Sequence, residues 1–145
     1  MRATSAAAAA TLAGIGGLHA AWARGSSWPF PDRERLAAAV AGVEAGDFAP
    51  PGVTYVVSGL LLAAAGLLVA ADHGPAGIRP LARSGSSVAG AVLLGRGVVG
   101  LTRPALLPAG DVAPFARLNR RLYSPLCLAL GAAVGSTGLK RRCDG

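Results

Sequence analysis

Acidic residues are scarce in this sequence. Seven Asp and Glu stand against fourteen Lys and Arg, and both signs together make up only 14% of the chain. A soluble domain carries about 25% charged residues, so an ordinary solvated surface is excluded. No acidic residue falls inside a long apolar run, which argues against the usual carboxylate-driven, proton-coupled transporter. Cysteine is nearly absent. Cys127 and Cys143 form neither a CxxC nor a disulfide framework, which speaks against a thiol–disulfide oxidoreductase. Cys127 reads as a small buried apolar residue. There is no P-loop, GxSxG or HExxH, and no His, Cys and carboxylate cluster with metal-ligand spacing. No cofactor and no metal are therefore expected. His19 and His73 belong to opposite sides of a bilayer, so a haem held between them is not expected.

Apolar residues are abundant. They make up 52% of the 145 residues, and the mean hydropathy is +0.50. They are grouped into four long runs, at about 4–23, 53–71, 85–101 and 122–139. Each approaches the length a helix needs to cross about 30 Å of hydrocarbon. The runs do not alternate as barrel strands do, and only helices or closed barrels satisfy their backbone in lipid. The expectation is an all-α, integral membrane four-helix bundle, one domain over residues 1–145. The first run has a rival reading. Arg2, an apolar stretch and Ala21-Trp22-Ala23 imitate a secretory signal with its cleavage site.

The connections are unequal. Loop one, Arg24 to Gly52, is long. Asp32 is placed to cap a short amphipathic helix from Arg33 to about Ala45. Leu36, Val40 and Val43 share one face of it, suited to the membrane surface or to covering the bundle. Loop two, Asp72 to Arg83, is short. Loop three, Thr102 to Arg121, holds Pro104, Pro108 and Pro114, then Arg117, Arg120 and Arg121.

The net charge is +7 and the pI about 11.0. The basic residues sit between and beside the apolar runs, where anionic headgroups favour them. Nucleic acid is not expected as a partner; the lipid bilayer is. Arg2, Arg79, Arg83 and Lys140-Arg141-Arg142 lie on one side, and Arg24, Arg33, Arg35, Arg103, Arg117, Arg120 and Arg121 on the other. The compact tail cluster tips the expectation toward cytoplasmic termini in a cell-membrane protein.

Gly131 and Gly135 form a GxxxG pair on the fourth run, and Ser86 with Gly90 a small-xxx-small pair on the third. Such pairs let helices approach closely in lipid. They read as tight packing and leave a homo-oligomer open as a second use.

The polar groups converge. His19 and Trp22 lie at the loop-one end of span one, with Trp28 just beyond. Tyr55 and Ser58 begin span two. Arg96 lies in the loop-three half of span three. Arg120, Arg121 and Tyr123 begin span four. In a four-span chain these ends share one membrane face. An arginine within a span is costly and usually faces a bundle interior or a water-filled cavity. Arg96 either snorkels to the interface or anchors an anion or carbonyl with its fork of donors. A lipid phosphate, a quinone oxygen, Glu44 or Asp47 would each suit it as a partner. The aromatics read first as an interfacial belt. His19 reads as a proton-transfer group, a ligand partner or an interfacial histidine.

Two stretches carry a family resemblance. Leu18-His19-Ala20-Ala21-Trp22-Ala23-Arg24-Gly25-Ser26-Ser27-Trp28-Pro29 resembles the amino-terminal signature of a family of small bacterial membrane proteins. Phe115-Ala116-Arg117-Leu118-Asn119-Arg120-Arg121-Leu122-Tyr123-Ser124-Pro125-Leu126-Cys127 resembles its carboxy-terminal signature. The family is catalogued as a domain of unknown function, number 3995. The resemblance covers nearly the whole chain, implies four spans and supplies no reaction.

The leading functional expectation is a non-enzymatic membrane protein that binds a small amphipathic or anionic ligand, or a lipid. The binding face is formed by His19, Trp22, Trp28, Tyr55, Arg96, Arg120 and Tyr123. A small oligomeric transporter or channel subunit, associating through Gly131 and Gly135, is the second. A membrane redox or lipid enzyme with His19 as acid–base group is the third.

Overall fold

A computed structural model of the chain describes residues 3–107, 109 and 111–139. Arg2, Pro108 and the basic tail with Cys143 lie outside the described residues. Those described are helices and connecting loops, with no strand among them. The order is α1 (Ala3–Ala23), α2 (Arg33–Val40), α3 (Pro51–His73), α4 (Arg79–Thr102), α5 (Phe115–Leu118), a π-helical turn (Asn119–Tyr123) and α6 (Ser124–Leu139). Among the described residues α1, α3 and α4 are long and apolar enough to cross a membrane. The long helices pack around a ring: α1 on α3, α3 on α4, α4 on α6 and α6 back on α1.

Several boundaries differ from the hydropathy pattern. The third helix starts at Arg79 rather than near Ser86, so loop two shrinks. Pro80 lies in its first turn, where a missing N–H costs nothing. Hydropathy marks what lipid tolerates, whereas the backbone ladder runs on through Arg83 and Ser84. His73 is the last residue of α3, not a loop residue. The loop-one helix ends at Val40, short of Ala45, and Val43 falls outside it. Gly42 takes φ +71° just beyond, a left-handed conformation that ends helices. The Asp32 cap forms as expected, its side chain accepting from the Arg35 N–H at 2.7 Å. Helical structure also begins before span four, at Phe115. Arg117, Arg120 and Arg121 are therefore helical residues and not loop residues.

The π turn has a local cause. Pro125 carries no N–H and its ring crowds the carbonyl four residues back. The Ser124 N–H instead reaches the Asn119 carbonyl, five residues back. That wider turn rotates Asn119 inward.

The distribution of residue sizes is inverted relative to a soluble bundle. Buried positions are filled by Ala8, Ala9, Ala64, Ala65, Ser58 and Ser86, with Leu12, Leu68 and Val134 as the larger members. Large apolar side chains point outward: Leu60 is 67% exposed, Leu81 74% and Val92 66%. Small residues let helix axes approach where lipid tails surround the bundle. The closest approach is α4 on α6. A methyl group added at Gly90 would lie 2.6 Å from the Gly135 nitrogen and 2.9 Å from the Gly131 carbonyl oxygen. On the other side of the ring, the buried Ser58 hydroxyl donates to the Gly16 carbonyl at 2.8 Å, joining α3 to α1.

Candidate functional site

The four long helices line a cavity of about 500 Å³ that is partly open to the outside. That lies within the ~300–1,000 Å³ of ordinary ligand sites. Its floor is aliphatic, with Leu12, Leu61, Leu93 and Leu130 from four different helices. Its upper wall holds His19, Trp22, Arg96 and Tyr123. Pro29, Phe30, Val40 and Phe115 close over that end. From Leu12 to Trp22 the wall of α1 rises about 15 Å at 1.5 Å per residue. The cavity is thus long, apolar below and polar at one end.

Among the described residues Arg96 is the one with a permanent charge in this lining, and no carboxylate joins it. Its Nη2 donates to the Asn119 Oδ1 at 3.0 Å. Its Nη1 is buried and meets no acceptor. Asn119 is 1% exposed and uses both ends of its amide. Oδ1 also accepts from the Ser124 hydroxyl at 3.1 Å, and Nδ2 donates to the Gly100 carbonyl at 2.9 Å. That carbonyl lies in the last turn of α4, where backbone acceptors have no partner within the helix. The negative end of the helix dipole favours a cation there as well. Gly100 leaves room for the arrangement. A methyl group at this position would come within 2.6 Å of Nη1 and 3.1 Å of the Asn119 Oδ1, and it would also collide with the Ser124 hydroxyl.

The residues around the cavity also hold its cover. The Trp22 Nε1–H donates to the Trp28 carbonyl at 2.7 Å, and the Arg33 Nη1 donates to the Trp22 carbonyl at 3.0 Å. Tyr123 donates its hydroxyl to the Ala39 carbonyl of α2 at 3.1 Å. The Arg33 guanidinium lies over the Phe48 ring, 5.4 Å from its centre, a cation–π contact. Loop one is therefore pinned to the bundle by the side chains that line the cavity. Leu36, fully buried, with Ala37 and Ala39 forms the packed face of α2, which rests on α5.

His19 packs its ring against Trp22, with 4.8 Å between centroids and a tilt of 52°. Its Nδ1 lies 2.8 Å from the Ile15 carbonyl. A carbonyl can only accept, so Nδ1 carries the hydrogen and a neutral His19 presents Nε2 as an acceptor.

Four of the seven expected residues line the cavity: His19, Trp22, Arg96 and Tyr123. The other three do not. Trp28 contributes its carbonyl to Trp22, and its side chain is largely exposed. Tyr55 is exposed on the outer side of α3. Arg120 lines a separate surface cleft of about 310 Å³ with Arg117 and Arg121. Glu44 and Asp47 do not pair with Arg96. Among the described residues the one ion pair is the exposed Arg35–Asp32 contact at 3.8 Å. Asn119, which was not among the candidate partners, holds Arg96 instead. The sequence offered one signal for it, a polar amide six residues before Pro125 where an apolar run begins. Cys127 also lines the cavity. Gly131 and Gly135 face Gly90 within the chain.

Among the described residues no group of three His, Cys, Asp or Glu could hold a metal ion. No curated protein and no solved structure matches the chain. Residues 12–134 match the family model described as "Protein of unknown function (DUF3995)", and the chain belongs to that family.

Proposed function

We propose that the chain is a multi-pass cell-membrane protein, one four-span domain with cytoplasmic termini, that binds a small amphipathic or anionic ligand or lipid inside its bundle. One observation carries this: the cavity of about 500 Å³ that is aliphatic along its length and bears Arg96, His19, Trp22 and Tyr123 at one end. The outward-facing Leu and Val of α3 and α4 support the lipid environment, since such patches are rare on soluble monomers. α1 supplies Leu12, His19 and Trp22, so the site requires that the first span be retained.

The proposal departs from a catalytic reading. His19 spends Nδ1 on its own helix, and among the described residues no carboxylate pairs with it to orient or charge it as in an acid–base pair. It also leaves no first use for Gly131 and Gly135 in self-association, because they are engaged with α4.

The test is mass spectrometry of the molecules that co-purify with the chain in mild detergent. The wild type should carry a discrete amphipathic species that Arg96→Ala loses or retains at no more than about a tenth, the loss of one charge-assisted hydrogen bond. An identical set of molecules in both would remove the basis of the proposal.

A further inference from the structure

We infer that the ligand of the bundle cavity is a single-chain fatty carboxylate. This rests on the cavity being a ligand site and deepens it by naming the class. Three observations carry it. The first is charge. Among the described residues Arg96 is the one permanently charged member of the lining, and its one hydrogen-bond partner is the neutral Asn119 amide. A guanidinium held in apolar surroundings without a counter-charge favours an anion beside it. One guanidinium matches one negative charge.

The second is the neighbouring polar set. Arg96, His19 and Tyr123 line the same end, and Tyr123 already spends its hydroxyl on Ala39. The charged group left there is the guanidinium, whose Nη1 meets no acceptor among the described residues and whose donors suit a carboxylate. Among the described residues no cluster of cations lines the cavity, as a multiply charged phosphate would need.

The third is size and shape. At about 30 Å³ per non-hydrogen atom, the share of liquid volume that one water takes, the cavity holds roughly fifteen to twenty such atoms. One acyl chain with its carboxyl group fits. A two-chain phospholipid exceeds this volume and would have to extend through its open side. The lining runs from Leu12, Leu61 and Leu130 at the aliphatic end to Arg96 at the polar end. The chain would lie among the leucines, with the carboxylate at the covered end.

The experiment uses the full chain, delipidated in detergent, with radiolabelled myristate at pH 8. Unlabelled myristate, tetradecanol, methyl myristate and phosphatidylglycerol compete for it. Myristate should compete about ten- to hundredfold better than the alcohol and the ester, the range for one charge-assisted hydrogen bond. Arg96→Gln should erase that gap. Leu61→Trp keeps the arginine and fills the floor. It should weaken all single-chain competitors together and leave the preference for the acid intact, so the proposal stands tested even if Arg96→Gln does not fold. An alcohol or ester that competes as well as the acid would overturn the carboxylate assignment and leave the cavity a neutral-ligand site. Phosphatidylglycerol competing as well as myristate would overturn the single-chain assignment. No saturable myristate binding, with an unidentified amphiphile still co-purifying, would overturn this inference alone; no bound amphiphile of any kind would remove the ligand site as well.

Discussion

Asn119 holds Arg96 where Glu44 or Asp47 was one of several candidate partners, and the difference decides the character of the site. A carboxylate would neutralise the guanidinium. The amide holds it in place and leaves its charge available. Asn119→Ala should strand both the Gly100 carbonyl and Arg96, at about 1–3 kcal/mol for each unsatisfied group. Ser124→Ala removes one donor from an oxygen that keeps its second partner, and should cost about 0.5–1.5 kcal/mol. Apparent unfolding temperatures in detergent should therefore fall in the order wild type, Ser124→Ala, Asn119→Ala. Equal melting of the two variants would show that the amide does not organise the arginine. Arg96, His19 and Trp22 were legible in the sequence because ionisable and aromatic groups are outliers in an apolar span. Asn119 was not. It stands in a stretch that hydropathy assigns to a loop. Only the π turn before Pro125 brings it inward.

At the scale of elements, the tightest seam is α4 against α6, and backbone proximity defines it. Gly90→Ala would push a methyl group into the Gly135 backbone. The helices would have to part, at about 1–3 kcal/mol for overpacking. Gly95 lies on the same helix with nothing within 4 Å of an added methyl group. Gly95→Ala should be neutral or stabilising by up to about 1 kcal/mol, from helix propensity alone. Thermal denaturation of the two variants side by side checks this, and similar behaviour in both would mean that the seam is looser than it stands here. The long helices were readable because unbroken apolar runs have few other structures open to them. Their ends were less so. α4 begins about two turns before its apolar run, since hydrogen bonding continues through residues that lipid would reject. The GxxxG spacing was visible too, but spacing does not say whether the partner is another copy or, as here, Gly90 of the same chain.

For the whole molecule, parity is the decisive question. α1, α3 and α4 meet the length and composition of a crossing. α6 has 16 residues, about 24 Å at 1.5 Å per residue, short of the ~30 Å hydrocarbon core. The helical run does not start at Ser124, however. The π turn and α5 precede it without a break, so Phe115–Leu139 together exceed the core thickness. The apolar floor of the cavity uses Leu130 of α6 beside Leu12 of α1, so the proposed crossing of α1 carries α6 with it. The proposed four crossings would put loops one and three on one face and loop two on the other. Single-cysteine reporters read this directly, in a chain whose native thiols are replaced by Cys127→Ser and Cys143→Ser. With cytoplasmic termini, Ser26→Cys and Asp111→Cys should react with a membrane-impermeant maleimide on intact cells, and Ala76→Cys only after permeabilisation. Restoring the native Cys143 as the sole thiol then tests the last crossing. It should behave as Ala76→Cys does. Reaction of Cys143 on intact cells alongside Ser26→Cys would reduce the crossings to three, and with them the depth at which Leu130 could meet Leu12.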